Sequence, residues 1–231
     1  MNEAIDRTGD IVLITGAAGA LGEAVVDAFS ETGATVVGMD IEEPDTWEGT
    51  GEFYTADLTD DAIAEETFNS VITDTGPLDS LVTLAGTWKG GSPIEETTVE
   101  TFNSVFDINL KTMFLAAKYA LPSLKEQGGG SIVTVSARSG LEGGSGDGPY
   151  RASKAGVRIL TETIAAEQSG IVRANTIMPS IIDTAMNREM MPDADHDSWV
   201  DPRDIADVIV WLSGDGASVT SGAAIPVYGE A

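Results

Sequence analysis

A short apolar run, Ile11 to Thr15 (IVLIT), is followed at once by glycines at 16, 19 and 22, and then by apolar residues at helical spacing from Glu23 to Glu31. Strand, glycine-rich turn and helix in that order leave few architectures open. The run is aliphatic and mostly β-branched without alternation, so it reads as a strand covered on both faces, the situation of a strand inside a parallel sheet. Glycines let a backbone approach a pyrophosphate, and the N-terminus of the following helix offers N–H donors and positive potential. A second strand, Thr35 to Met39, ends in Asp40, 18 positions past Gly22. A carboxylate there can accept hydrogen bonds from both ribose hydroxyls of NAD and repel the 2′-phosphate of NADP. A solvated acid at a strand end is the other reading of Asp40.

The alternation continues along the chain. Phe53 to Ala56 reads as a strand ending at Asp57, Ala62 to Ile72 as a helix, and Ser80 to Leu84 as a strand running into Ala85-Gly86. Thr98 to Leu124 reads as helix with a break near Asn109, and Ser131 to Ser136 as a strand. A helix from Pro149 to about Gln168, a strand from Val172 to Met178, a helix from Pro202 to Leu212 and a strand from Ala224 to Val227 complete the series. Strands alternating with helices predict an α/β fold: one doubly wound, Rossmann-like domain over residues 1–231, with a mostly parallel seven-stranded sheet and helices on both faces. Ligands in such sheets sit beyond the carboxyl ends of the strands. Gly16, Asp40, Asp57, Gly86, Ser136 and Pro179 all fall there.

Composition narrows the partners. With 38 acidic and 12 basic residues the formal net charge is -26, which argues against nucleic acid. The acids are scattered through periodic segments rather than gathered in a tail, a pattern that fits a salt-rich cytosol where self-repulsion is screened, with an ordinary acidic mesophile protein as the other reading. Cysteine is absent and His196 is the single histidine, so neither disulfides nor a Cys/His zinc site is expected, and no metal is assigned. The first residues carry acids where a signal peptide has a basic region, and no apolar run approaches membrane-spanning length; a cytoplasmic protein with no membrane partner is expected.

Tyr150 and Lys154 stand at i, i+4 in the predicted helix that follows the Ser131–Ser136 strand. On one helical face, an ammonium one turn from a phenol can stabilise phenolate and lower the tyrosine pKa. Such a phenol can exchange a proton with an alcohol or carbonyl while hydride moves elsewhere. The spacing alone is weak, because it also describes a surface tyrosine above a solvated lysine; the strand, the Gly-rich loop and the nucleotide turn supply the context.

Taken together, these motifs resemble the short-chain dehydrogenase/reductase family over essentially the whole length. TGAAGALG from Thr15 to Gly22 resembles its cofactor turn, which implies cofactor contacts at Gly16, Ala18, Gly19, Leu21 and Gly22. Asp57-Leu58 is similar to the pair that touches adenine, and Leu84-Ala85-Gly86 to part of the N-A-G motif. Asn109 in DINLKTMF matches the catalytic asparagine, Tyr150-Arg-Ala-Ser-Lys154 the catalytic motif, and PSIIDT, with Pro179, Ile182 and Thr184, the segment that holds the nicotinamide. The resemblance implies Tyr150 as acid/base, Lys154 as the group that lowers its pKa and holds the nicotinamide ribose, and Asn109 as the holder of a relay water. Asn109 bonding its own backbone at a helix break is the alternative.

Departures are informative. The family's serine, about thirteen residues before the tyrosine, is here Ala137, with Ser136 and Ser139 the nearest hydroxyls. Neighbouring strand residues face opposite ways, so Ser136 would need a bulge or one-residue shift to serve. Dihydropteridine reductases, which this chain resembles in LAGTWKGG from Leu84 to Gly91, work without that serine. Residues 183–199 lie where the family places a substrate lid, with Met186, Met190 and Met191 as an adaptable face; an ordinary amphipathic helix is the other reading. His196 is expected to be a solvated surface residue. The resemblance also implies a homodimer or homotetramer through the helices at 98–124 and 149–168, with Phe102, Phe106, Met113 or Leu160 between subunits.

The leading function is an NAD(H)-dependent oxidoreductase acting on a small-molecule carbonyl or secondary alcohol of 3-oxoacyl, sugar or small-ketone type. Pterin reduction and a non-catalytic NAD(H)-binding sensor are the alternatives. The charge pattern carries its own expectation: the thermal midpoint rises markedly between dilute buffer and molar KCl as self-repulsion is screened, and a flat response in a scanning melt would remove the saline reading.

Overall fold

The computed structural model describes residues 5–230. Seven strands form one parallel sheet in the order β3-β2-β1-β4-β5-β6-β7. They are β1 (Ile11–Thr15), β2 (Thr35–Asp40), β3 (Phe53–Thr55), β4 (Ser80–Thr83), β5 (Gly130–Val135), β6 (Val172–Pro179) and β7 (Ala224–Val227). The helices are α1 (Ala20–Ser30), α2 (Asp61–Thr75), α3 (Val99–Phe106), α4 (Thr112–Glu126), α5 (Gly148–Glu167), α6 (Ala185–Met190) and α7 (Pro202–Ser213). The predicted fold class is the one observed.

The central strands are apolar without alternation because both faces are covered. Leu13 points into a layer with Met39, Phe68, Leu81, Leu124 and Ile132, beneath α2, α4 and α5. Its neighbours Val12 and Ile14 point the other way, into a layer with Phe29, Val133, Ile177, Ile205 and Ile209 beneath α1 and α7. All of these side chains are fully buried. Strand order reverses at β1, whose neighbours are β2 and β4. The crossovers therefore leave to opposite faces there, and a crevice opens between the carboxyl ends of β1 and β4.

Boundaries shifted where capping and tertiary contacts outweighed periodicity. Helix α1 begins at Ala20 rather than Glu23, with Gly19 as its N-cap, so Gly22 lies in the first turn. Helix α2 runs on to Thr75, its start fixed by the Asp60 carboxylate accepting from the N–H groups of Ala62 and Ile63. The predicted 98–124 helix is two helices joined by a π-helical turn, Asp107–Lys111. At the opposite, N-terminal edge of the sheet, the buried Arg7 guanidinium donates to Asp10 and to Ser80 Oγ, while Arg173 closes the end of α7 by donating to the carbonyls of Leu212, Ser213 and Gly214.

Phe68 is fully buried between α2, α4 and the sheet. Phe68→Ala is expected to destabilise the protein by about 3–5 kcal/mol in denaturant titration at constant salt, and a loss below about 1 kcal/mol would contradict this packing.

Candidate active site

The glycine turn closes the β1 end of the crevice. Gly16 has φ +76°, and a Cβ there would lie 2.5 Å from the Ala85 nitrogen, so only glycine lets the exits of β1 and β4 touch. Gly22 is needed because a Cβ would run into the Gly16 and Ala17 carbonyls. Gly19 differs: its added Cβ would meet only Gly16 O, at 3.5 Å, so an open concavity lies over the N-terminus of α1. The Asp40 carboxylate faces this turn, accepting from Ala18 N at 3.0 Å and Ile41 N at 2.7 Å. Glycine backbone, a free helix N-terminus and an acid at the adjacent strand end fit the pyrophosphate and ribose of a dinucleotide.

The adenine-side residues fit less directly. Asp57 Oδ1 accepts from Thr59 N and Thr59 Oγ1, so the carboxylate shapes its own turn. The Leu58 side chain is buried in the core, leaving only its main chain for a ligand. Leu21 is half-buried against the α1–α7 layer.

From the glycine turn, contacts run straight to the tyrosine-lysine pair. Ala85 touches Gly16, and a Cβ on the next residue, Gly86, would lie 3.1 Å from both Asn109 Oδ1 and Lys154 Nζ. Asn109 is buried in the π-helical turn. Its Oδ1 accepts from Thr87 N at 2.7 Å, and its Nδ2 donates to Thr87 O at 2.9 Å and Ser153 Oγ at 3.0 Å. Both amide hydrogens are thus engaged. The side chain braces the loop after β4 against α5 and does not cap its own backbone.

Lys154 is buried, and its Nζ donates to Val135 O at 3.0 Å. Burial pulls its pKa down to about 8. Tyr150 departs from expectation in the opposite sense. Burial, with the Asp147 carboxylate adding to it, pushes the phenol up to about 12, against lowering contributions from the Ser139 hydroxyl and Arg151. The expected lowering by Lys154 is corrected by these surroundings: removal from water disfavours phenolate, and a nearby carboxylate repels it. At neutral pH Tyr150 is a proton donor.

The serine position is also corrected. β5 and β6 pair in unbroken register from Gly130↔Val172 to Val135↔Ile177, without a bulge. Ser136 follows β5, is buried, and donates its hydroxyl to Lys154 O at 2.7 Å. It ties the strand end to α5 and does not turn toward Tyr150. Ser139, in a 3-10 turn over Arg138–Leu141, is the nearby hydroxyl that pulls the phenol's pKa down against its burial. Periodicity offered no signal for it, because a turn has no fixed side-chain direction.

Beyond β6, Pro179 ends the strand, Ile182 bridges to Val200, and Thr184 caps α6 by accepting from Asn187 N. The 183–199 segment contains the short α6, and Met190 lines a cavity of about 410 Å³ together with Trp88, Lys89, Thr98, Thr101 and Pro149, the residue before Tyr150 in the chain. His196 is not merely solvated: its Nε2 lies 2.9 Å from Met191 O and its ring packs against Trp199, tying down the end of α6. A larger cleft, lined by Arg7, Asp10, Asp79 and Arg173, lies at the N-terminal end of the strands and contains none of these residues.

Comparison with known proteins agrees with this geometry. The family model for short chain dehydrogenase matches residues 10–195. The 3-oxoacyl-(acyl-carrier-protein) reductase of Thermotoga maritima is 32% identical, over 96% of this chain and 97% of its own. The meso-2,3-butanediol dehydrogenase of Serratia marcescens is 31% identical, over 96% and 94%. The crystal structure of gox2181 superposes with a TM-score of 0.91 at 27% identity, covering 98% of this chain and 96% of that one. With a parallel sheet, a glycine turn, and a tyrosine and lysine joined to that turn through Gly86, the chain belongs to the short chain dehydrogenase family.

Proposed function

We propose that this protein is an NAD(H)-dependent oxidoreductase acting on a small carbonyl compound or secondary alcohol, with Tyr150 as the proton donor and acceptor. One observation carries the reading: a phenol kept protonated by burial stands one helical turn from a buried lysine, and that lysine is linked through Gly86 to a dinucleotide-shaped glycine turn. A non-catalytic sensor has no need of such a pair. When bound, the dinucleotide supplies or takes up a hydride at its nicotinamide C4. In reduction the Tyr150 phenol gives its proton to the substrate oxygen as the carbonyl carbon becomes an alcohol carbon; in oxidation the phenolate takes that proton back. Lys154, fixed on Val135 O, opposes the negative charge left on the phenol oxygen. Asn109 holds the loop carrying Gly86 and Thr87 in place. Gly16, Ala18, Gly19, Leu21, Gly22, Asp40, Asp57, Leu58, Ala85, Gly86, Pro179, Ile182 and Thr184 form the cofactor side, with Leu58 acting through its main chain, and residues 183–199 cover the substrate.

The relatives, a 3-oxoacyl-(acyl-carrier-protein) reductase and a meso-2,3-butanediol dehydrogenase, support this substrate range. A second reading, reduction of a pterin, is favoured by Trp88, 47% exposed and lining the cavity with Met190, where a flat heterocycle would stack. A screen of alcohols, sugars, ketoacyl thioesters and quinonoid pterin in molar salt, read by nicotinamide absorbance, separates the two.

The assembly we infer is a homodimer or homotetramer through α3, α4 and α5. Phe102 and Phe114 are exposed and Phe106 stacks on Phe102 at 4.4 Å, which supports that face. Met113, expected there, is instead buried in the subunit's own core.

Two outcomes test the catalytic reading. NAD(H) is expected to bind more tightly than NADP(H) in fluorescence titration, with Asp40→Asn narrowing the difference; equal affinities in the unaltered protein would release Asp40 from its role. Tyr150→Phe is expected to keep NAD(H) affinity while turnover falls at least about 10²-fold. Near-normal turnover would make the phenol structural and return the sensor reading.

A further inference from the structure

With 38 acidic and 12 basic residues in the chain, a cation that meets no acid is an exception. Arg7, Lys118, Arg151, Arg158, Arg188 and Arg203 each pair with a carboxylate. Lys89 forms no ion pair among the described residues. Its Nζ donates to Ser104 Oγ at 2.7 Å, a neutral acceptor, whereas an ammonium has three donors. Two N–H groups and the whole charge are left for a ligand.

The backbone that carries Lys89 is fixed on both sides. Two residues before it lies Thr87, whose N–H and C=O are both held by Asn109. Two residues after it, Gly91 N donates to Gly146 O at 2.7 Å and ties the loop after β4 to the loop before α5. Between them a Cβ on Gly90 would lie 2.7 Å from the Trp88 ring and 3.0 Å from Asp147 Cβ, so glycine sets a close approach of the two loops. Lys89 thereby lines the 410 Å³ cavity together with Pro149, one residue before Tyr150, and Met190 of α6. That volume suits a small molecule. Thr101 adds a donor to the lining: its Oγ1 accepts from Thr98 Oγ1 at 3.2 Å, which leaves its own hydrogen for a ligand. Glu96 lines the same cavity and is the charge that opposes Lys89.

We propose that Lys89 is a specificity-determining residue that receives an anionic group of the substrate, a carboxylate or a phosphate. The substrate class is then an oxo acid or a phosphorylated ketone, or the corresponding alcohol. The inference deepens the reading of this site as a carbonyl and alcohol oxidoreductase and rests on it. A chain of formal net charge -26 repels an approaching anion, so an ammonium without an acid partner is what holds one in the cavity. A hydrogen bond to a charged group exceeds a neutral one, and Lys89 gains it without breaking an ion pair.

The experiment uses two matched pairs: acetoacetate with its methyl ester, and dihydroxyacetone phosphate with dihydroxyacetone. Binding is read by calorimetry in molar KCl, to the protein alone and to the protein saturated with NAD+, with which an oxo compound cannot take up hydride. The charged member of at least one pair should bind about three- to thirtyfold more tightly than its neutral mate, the lower end reflecting screening by salt. Which pair shows the preference tells carboxylate from phosphate. Lys89→Met should abolish the preference, Lys89→Arg should retain it, and Glu96→Gln should enlarge it. Where the charged compound turns over, Lys89→Met should raise KM far more than it lowers kcat, because the contact is made equally in the ground and transition states. Equal binding within both pairs in the unaltered protein, or a preference that survives Lys89→Met, would overturn the proposal. Binding decides the role of Lys89 and turnover of Tyr150→Phe decides the acid/base group, so either reading can fail without the other.

Discussion

The contact between the exits of β1 and β4 organises everything above the sheet. At Gly16 the chain leaves β1 so close to Ala85 that any side chain would strike the β4 exit, and φ there is in the left-handed region. This approach brings the glycine turn, which can receive phosphates, next to the loop of Gly86 and Thr87. That loop in turn is bounded by Asn109 and Lys154, and the distances at Gly86 leave no space for a methyl group without displacement. The glycine turn and the tyrosine-lysine pair are therefore joined through two glycines.

Asn109 and the π-helical turn show how this is held. A π turn widens the helix locally and rotates one residue out of its usual face. Here the rotated residue is a buried asparagine whose amide satisfies both the N–H and C=O of Thr87 and also reaches Ser153 on α5. A loop leaving a strand end has backbone groups that need partners, and this one side chain supplies two. It links α4, α5 and the β4 exit, the three elements around the tyrosine-lysine pair.

Electrostatics at the pair run opposite to simple proximity. A nearby ammonium lowers a phenol's pKa, while desolvation of the phenol and a neighbouring carboxylate raise it, and the sum decides. Lys154 is instead aimed at Val135 O and is itself disfavoured as a cation by burial, while Tyr150 is both desolvated and near Asp147. The site rests with its proton on tyrosine, the state needed to protonate a carbonyl oxygen. The neighbours that shift this balance are Asp147, which raises the phenol's pKa, and Ser139 and Arg151, which lower it.

The sequence by itself determined the sheet and the glycine turn that follows its first strand. Unalternating strands such as IVLIT require cover on both faces, and helices with apolar stripes between them can provide it only in a doubly wound arrangement. Gly16, Gly22 and Asp40 were legible because their roles depend on backbone conformation and strand position, which local order dictates. Tyr150 and Lys154 were legible because helical spacing sets which residues share a face. What only the tertiary structure decided were the side-chain partners: that Ser136 serves the backbone of α5, that the Asn109 amide is taken up by Thr87 and Ser153, and that Met113 lies in the subunit's own core. Those choices depend on how a turn docks against a helix distant in sequence and on where a lysine finds an acceptor, and neither spacing nor composition encodes those directions.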